Sequence, residues 1–304
     1  MNIILISSTD GPASWDFPAH GLGKQCLMQA ENLAKAGHFV TLIAGQGSKS
    51  NELGVTIVEC LDDQQACDWA IEHQANFDLI FDSSHWHFLR SNPRLETPLI
   101  NYSPDREEYP GRCAAFPTKN HQKYFDIPGV IIPNAVDLQE FSYNASPSDY
   151  FLWMAKTYPQ KGFKTAFHAA MQTGINLVFA GPGTENFPNG KGPVFGEEKV
   201  KLLQNAKALL FPSPHEAGPI TVLEAAACGT PVICYNKGGA ADHVRHNETG
   251  FAVEDQEEFI TAIGKIDTIS RKACREFIEQ NHSPEFQTEV MEHVFQQLLS
   301  GVRW

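Results

Sequence analysis

The chain lacks any hydrophobic run long enough to cross a bilayer: no window approaches the roughly 18 continuous apolar residues a spanning helix needs. Its N-terminus, MNIILISSTDG, has no basic residue ahead of its short apolar run, and reads as a first strand rather than a signal peptide. Positive charge is scarce, with 23 Lys and Arg against 36 Asp and Glu and a formal net charge of −13. That balance argues against a nucleic-acid scaffold, which needs basic surface, and against electrostatic docking on anionic lipid. The seven cysteines are odd in number and form no Cys-x-x-Cys pair, which fits reduced thiols buried as small hydrophobes and speaks against a structural zinc site. Short-period repeats and low-complexity tracts are absent as well. These absences leave an acidic, cytoplasmic, globular protein as the expectation.

What the chain does contain is alternation. Its 304 residues, 42% hydrophobic, suit two domains of about 150 residues each. Short β-branched runs predict strands at Asn2–Ser7, Phe39–Ala44, Val55–Cys60, Asp78–Asp82, Pro98–Tyr102 and Val130–Ile132. Helical patterns lie at Cys26–Ala36, Asp63–Gln74 and near Thr118–Tyr124. The polar stretch Pro133–Tyr150 reads as a linker. A second series follows, with strands at Tyr150–Met154, Asn176–Ala180, Pro193–Phe195, Ala208–Phe211, Pro231–Cys234 and Gly250–Val253. Its helices are Lys161–Thr173, Glu197–Asn205, Pro219–Ala227 and Gln256–Ile266, and Pro284–Leu299 has helical apolar spacing. The pattern predicts an α/β protein of two Rossmann-like doubly wound domains, residues 1–145 and 146–283, with a C-terminal helix at about 284–300. In such sheets ligands bind at the carboxyl ends of the strands.

The densest signal is HEAGPITVLEAAACGTPVI, His215–Ile233, which holds Glu216 and Glu224 with seven residues between them. Glu224 stands in an apolar, small-residue segment where an unpaired carboxylate is costly, and no cation is near it in sequence. A bound ligand is the expected partner; a salt bridge inside the core is the alternative. Pro219 suits the first helical position, so the amides of Gly218, Ile220 and Thr221 would form an anion site. In MAKTYPQKG, Lys156 follows a strand and Lys161 opens a helix, which suits either a diphosphate or two solvated surface lysines. Gly21 and Gly23 in AHGLGKQ, Gly181 in FAGPG and Val194 in PVFG lie in turns that read as ligand approaches or as plain turns. In SSHWHF, His87 reads as an acceptor contact or a structural histidine. Trp15, Phe17 and His20 suit stacking on a sugar or packing in a lid.

With these residues in view the second half resembles the family 4 retaining glycosyltransferases of the GT-B fold, over residues 128–300. The resemblance rests on Lys156, Lys161-Gly162, AGPG at Ala180–Gly183, ALLFPS at Ala208–Ser213, the Glu216/Glu224 pair, EAAACGTPV at Glu224–Val232, GGAAD at Gly238–Asp242 and TGFAV at Thr249–Val253. AKAGHFVTLIA at Ala34–Ala44 and IIPNAVD at Ile131–Asp137 match more loosely. It implies a nucleoside-diphosphate sugar donor, UDP-sugars being commonest, and transfer of a hexose with retention to an unidentified acceptor. Glu224 would bind the ribose, Glu216 the sugar hydroxyls, and Lys156 and Lys161 the diphosphate. The chain has no Asp-x-Asp motif, and the lysines would take the place of a metal; no cofactor is implied. The C-terminal helix would cross back onto the first domain. This sequence departs from the family pattern in carrying Lys156 for an arginine, Pro219 for a glycine and Ala135 for a glycine. On the acceptor side, INYSPDREE has Tyr102, Ser103 and Asp105 where many relatives have a histidine. Acidic charge favours a soluble small molecule or glycan as acceptor over a lipid. The substituted acceptor side also keeps open a non-catalytic nucleotide-sugar binder or partner subunit, and a nucleotide-sugar epimerase.

Overall fold

The computed structural model describes residues 1–16, 21–84, 87–102 and 113–304. The elements, in chain order, begin with strand β1 (Asn2–Ile6), helix α1 (Gly21–Lys35), β2 (Phe39–Gly45), β3 (Val55–Cys60), α2 (Asp63–His73), β4 (Leu79–Asp82), β5 (Leu99–Tyr102), β6 (Ala114–Phe116), α3 (Lys119–Phe125) and β7 (Val130–Ile131). They continue with β8 (Phe151–Met154), α4 (Phe163–Thr173), β9 (Leu177–Ala180), α5 (Gly196–Asn205), β10 (Ala208–Phe211), α6 (Ile220–Ala227), β11 (Val232–Tyr235), α7 (Gly239–Asp242), β12 (Gly250–Val253), α8 (Gln256–Lys265), α9 (Arg271–Asn281) and α10 (Pro284–Leu299). The chain forms two compact units: residues 1–117, 125–133 and 284–304, and residues 118–124 with 134–283.

The first unit is built on a parallel sheet in the order β3-β2-β1-β4-β5-β6-β7. β1 is apolar at every position from Ile3 to Ile6 because both of its faces are covered. Ile3 and Leu5 pack with α1 and α10, through Leu27, Leu33, Phe295 and Leu298. Ile4 and Ile6 pack on the other side with Ala66 and Ile71 of α2. The C-terminal helix is part of this unit: Phe295 meets Phe81 edge-on at 5.9 Å, and Gln287 donates to the Pro133 carbonyl at 2.6 Å.

The second unit has a parallel sheet in the order β12-β11-β10-β8-β9. Its core runs through Leu152, Phe179, Leu209, Ile233, Phe259 and Ile278. The polar stretch after Pro133 packs on this unit, where the Asn144 amide donates to Cys228 and Arg275 donates to the Phe141 carbonyl. Pro193–Phe195 is not a strand. The chain pairs with β9 just before it, through Lys191 N–H to Phe179 O and Gly181 N–H to Gly192 O, and the pairing stops at Pro193, which has no N–H to offer. Three elements were not foreseen: β6, the four-residue α7 and α9. α9 is capped by Ser270 and buries only Cys274, Phe277 and Ile278. All seven cysteines are buried free thiols. No helix among the described residues is long and apolar enough to cross a membrane.

Candidate active site

The site lies in the second unit, at the carboxyl ends of β8 and β10. The loop after β8 carries Lys156, exposed, with Nζ 6.0 Å from the Tyr158 ring. A single turn, Pro159–Lys161, follows and ends at Gly162, whose φ of 73° is left-handed. A Cβ at Gly162 would stand 2.4 Å from the Pro212 carbonyl oxygen, so only glycine lets α4 begin this close to the exit of β10. That approach brings Lys161 to Glu216, with Nζ 2.5 Å from Oε1. The Trp153 indole N–H fixes the Lys161 carbonyl at 3.2 Å. Ser213 Oγ ties the two loops, 3.0 Å from Gln160 O and 2.9 Å from Glu216 Oε1. The lysine side chain is 28% exposed and the glutamate 14%, so solvent and solutes reach the pair.

The Glu216 loop is propped from behind. The Gly239 N–H donates to Glu216 O at 2.6 Å, and a Cβ at Gly239 would lie 2.1 Å from Ala217 O. Thr118 Oγ1 donates to Ala217 O at 2.6 Å, and Asn120 Nδ2 donates to Gly238 O at 3.2 Å. Asp242 accepts from the Asn120 N–H at 2.7 Å, and Asn134 Nδ2 donates to Gly218 O at 2.8 Å. Pro219 is the N-cap of α6 (φ −69°, ψ 114°), not its first helical residue, because its ψ is extended. The shift of one position leaves the argument for the amides in place: Ile220 and Thr221, in the first turn, have no intrahelical acceptor.

Glu224 is the fifth residue of α6 and only 6% exposed. The absence of a cation nearby in sequence does not hold in space. Lys199, on α5, places Nζ 2.5 Å from Glu224 Oε1 and 5.6 Å from the Phe141 ring. Glu224 Oε2 is enclosed and has no hydrogen-bond partner. The carboxylate adds to the effect of burial on the Cys228 thiol, which is pushed up to about 12. Arg271 and Arg275 of α9 donate to Cys228 O and Ala227 O at the end of α6, the pole that favours cations. Gly181 follows β9, and Val194 is buried just ahead of α5.

The first-unit candidates are placed otherwise. Gly21 and Gly23 are not in a loop but in the first turn of α1, which starts five residues before the expected Cys26. His87 is left-handed at φ 47° and 3% exposed; its Nδ1 lies 3.7 Å from Asp82 Oδ2 and has no hydrogen-bond partner. Tyr102 is a core residue whose hydroxyl donates to Ile132 O at 3.0 Å and whose ionisation burial raises, so it is not offered to an acceptor. Trp15 donates to Glu31 Oε2 at 3.1 Å with Lys24 Nζ 5.9 Å from its ring. Ser103 and Asp105 lie outside the described residues, as do Phe17 and His20.

Residues 137–282 match the family Glycosyl transferases group 1. Over 90 residues the chain is 33% identical to an uncharacterized glycosyltransferase of Methanocaldococcus jannaschii, covering 30% of this chain and 23% of that protein. It is 33% identical over 76 residues to a D-inositol 3-phosphate glycosyltransferase of Acidothermus cellulolyticus, covering 24% of this chain and 17% of the relative. Each of these aligned stretches spans less than a quarter of the relative. Among solved structures, AviGT4, a glycosyltransferase involved in avilamycin A biosynthesis, superposes with a TM-score of 0.79 at 20% identity, over 100% of this chain and 99% of its own. Sucrose-phosphate synthase from Thermosynechococcus elongatus gives 0.78 at 17%, over 99% and 100%. Anabaena HepE, in complex with UDP and glucose, gives 0.71 at 14%, over 98% and 100%. The fold is that of the GT-B glycosyltransferases, two parallel-sheet α/β domains.

Proposed function

We propose that the protein is a retaining, metal-independent glycosyltransferase of family 4 that moves a hexose from a nucleoside-diphosphate sugar, a UDP-sugar by preference, to a hydroxyl acceptor. The observation that carries this reading is the Lys161–Glu216 pair at 2.5 Å, held by Ser213 beside the first turn of α6. The family match over 137–282 and the UDP complexes of HepE support it.

In this reading the diphosphate meets Lys161, Lys156 and the amides of Gly218, Ile220 and Thr221. As the bond from the anomeric carbon to the phosphate oxygen breaks, negative charge grows on the leaving diphosphate. Fixed cations and amides stabilise that charge more than they stabilise the intact donor, which lowers the barrier. Glu216 accepts from sugar hydroxyls, with Lys161 holding its carboxylate in place. Retention follows if the acceptor oxygen attacks from the face the diphosphate leaves, its proton passing to the departing phosphate oxygen. Two lysines supply the positive charge that a divalent ion supplies elsewhere.

The test is release of nucleoside diphosphate from a panel of nucleotide sugars in EDTA, with Glu216→Ala and Lys161→Ala alongside. Release from one donor, abolished by both substitutions, is the expected result. Failure of every donor to bind or react refutes the site. Tight binding with no turnover under any acceptor supports the non-catalytic binder instead.

A further inference from the structure

Lys199 is out of place for a surface lysine. It is the fourth residue of α5, in the turn where the helix dipole disfavours a cation and where Glu197 and Glu198 are the expected charges. Its side chain turns inward, with 26% exposed, and ends on Glu224 Oε1 at 2.5 Å and over Phe141. One Glu224 oxygen is thereby taken, while Oε2 is enclosed and unpartnered. A buried carboxylate oxygen without a donor is uncommon, and points to a hydroxyl or amide that arrives with a ligand. The Lys199 ammonium carries three donors, of which Glu224 uses one.

We propose that Lys199 and Glu224 read the ribose diol of the donor together, a step that rests on the nucleotide-sugar reading above. Glu224 Oε2 accepts from one ribose hydroxyl, and Lys199 Nζ donates to the oxygen of the other. The pair therefore offers the diol one acceptor and one donor, rather than a lone carboxylate accepting twice. Lys199 is a specificity-determining residue for ribonucleotides, and it acts on binding rather than on the leaving group.

The experiment compares Kd for UDP, 2′-deoxy-UDP and 3′-deoxy-UDP by calorimetry on the full chain and on Lys199→Met and Lys199→Arg, with melting curves to confirm folding. The parent protein prefers UDP over both deoxy forms. In Lys199→Met one of these two preferences collapses by about tenfold or more, the worth of a charge-assisted hydrogen bond, while the other survives. Lys199→Arg, which keeps the donor, retains both preferences. Preferences unchanged in Lys199→Met overturn the inference and leave the donor site standing. A parent protein that binds UDP without any ribose preference, or binds no nucleotide, overturns this inference and the ribose role of Glu224 together. A Lys199→Met chain that does not fold shifts the decision to Lys199→Gln, read in the same way.

Discussion

Gly239→Ala tests whether the glycine pair after β11 exists to hold the glutamate loop. A Cβ at 239 would meet Ala217 O at 2.1 Å, Ala217 C at 2.6 Å and Glu216 O at 2.9 Å. All three are backbone atoms, so no side chain can swing away; the Glu216 loop itself must move. Overpacking of this kind costs about 1–3 kcal/mol. The 2.6 Å bond from the Gly239 N–H to Glu216 O weakens with it, adding about 1 kcal/mol. The sum is roughly 2–4 kcal/mol, or roughly 5–15 °C in melting temperature for a domain of this size. Displacing Glu216 by about 1 Å should lower donor turnover by about 100-fold, because a misplaced group loses the pre-oriented geometry. Circular dichroism melts and nucleoside-diphosphate release measure the two effects. Gly264→Ala is the control: no atom lies within 4 Å of its Cβ position, it sits in α8, and the change should stabilise by about 0.5–1 kcal/mol without altering turnover. A Gly239→Ala protein that melts and turns over like the parent would refute the argument that this turn positions Glu216.

Strands such as β1 and β10 were legible because they are buried on both faces, and Ile3–Ile6 or Leu209–Phe211 then read as unbroken apolar runs. β6 escaped because three residues, Ala114–Phe116, carry no period. α9 escaped because three buried residues among eleven leave a polar sequence whose only signals are the Ser270 cap and the Cys274/Phe277/Ile278 spacing. Within the site, the residues fixed by short spacing were visible: Lys161 beside Gly162, Glu216 and Glu224 across one loop and helix. The residues that complete it come from far along the chain. Lys199 is 25 positions from Glu224, Asn134 is 84 from Gly218, and Thr118 is 99 from Ala217. Local pattern carries no information about such partners; only the orphaned carboxylate at Glu224 announced that one must exist. Tyr102 likewise has a distant partner: it ends β5, where a site residue is expected, but turns its hydroxyl to Ile132 inside the core.

Arg271→Met should lower stability by about 3–5 kcal/mol, read as a shift in urea midpoint, since the guanidinium serves the carbonyls of Asn144, Ala206 and Gln204 and the Thr230 hydroxyl, and these lose their donor together. An unshifted midpoint would show that water replaces it freely. The seven buried thiols should be inert to a thiol reagent in the folded protein and all react in denaturant, Cys26, Cys234 and Cys274 being raised by burial to about 11, 12 and 12; rapid reaction of the native protein would contradict their burial. The last expectation concerns acid. His243 is 2% exposed with neither ring nitrogen bonded, 4.8 Å edge-on from His282, whose Nδ1 meets Asn134 O at 2.9 Å. Burial holds the first well below its ordinary value and lowers the second to about 4. Both imidazoles are therefore neutral in the folded chain and take a proton near pH 6.5 only when it unfolds. Below that pH the unfolded state binds more protons, so the pair's contribution is intact above about 6.5 and is lost as pH falls toward about 4. Going from about pH 7.5 to about pH 5.5 should remove roughly 1.4 kcal/mol per histidine, on the order of 2–3 kcal/mol for the two. Urea midpoints of the parent and of His243→Phe at the two pH values isolate this effect from that of the carboxylates, which both proteins share. The drop should be smaller in the variant; an equal drop would mean that His243 is hydrated or charged in the native protein, and that the imidazole pair is not the acid-sensitive element of the second unit.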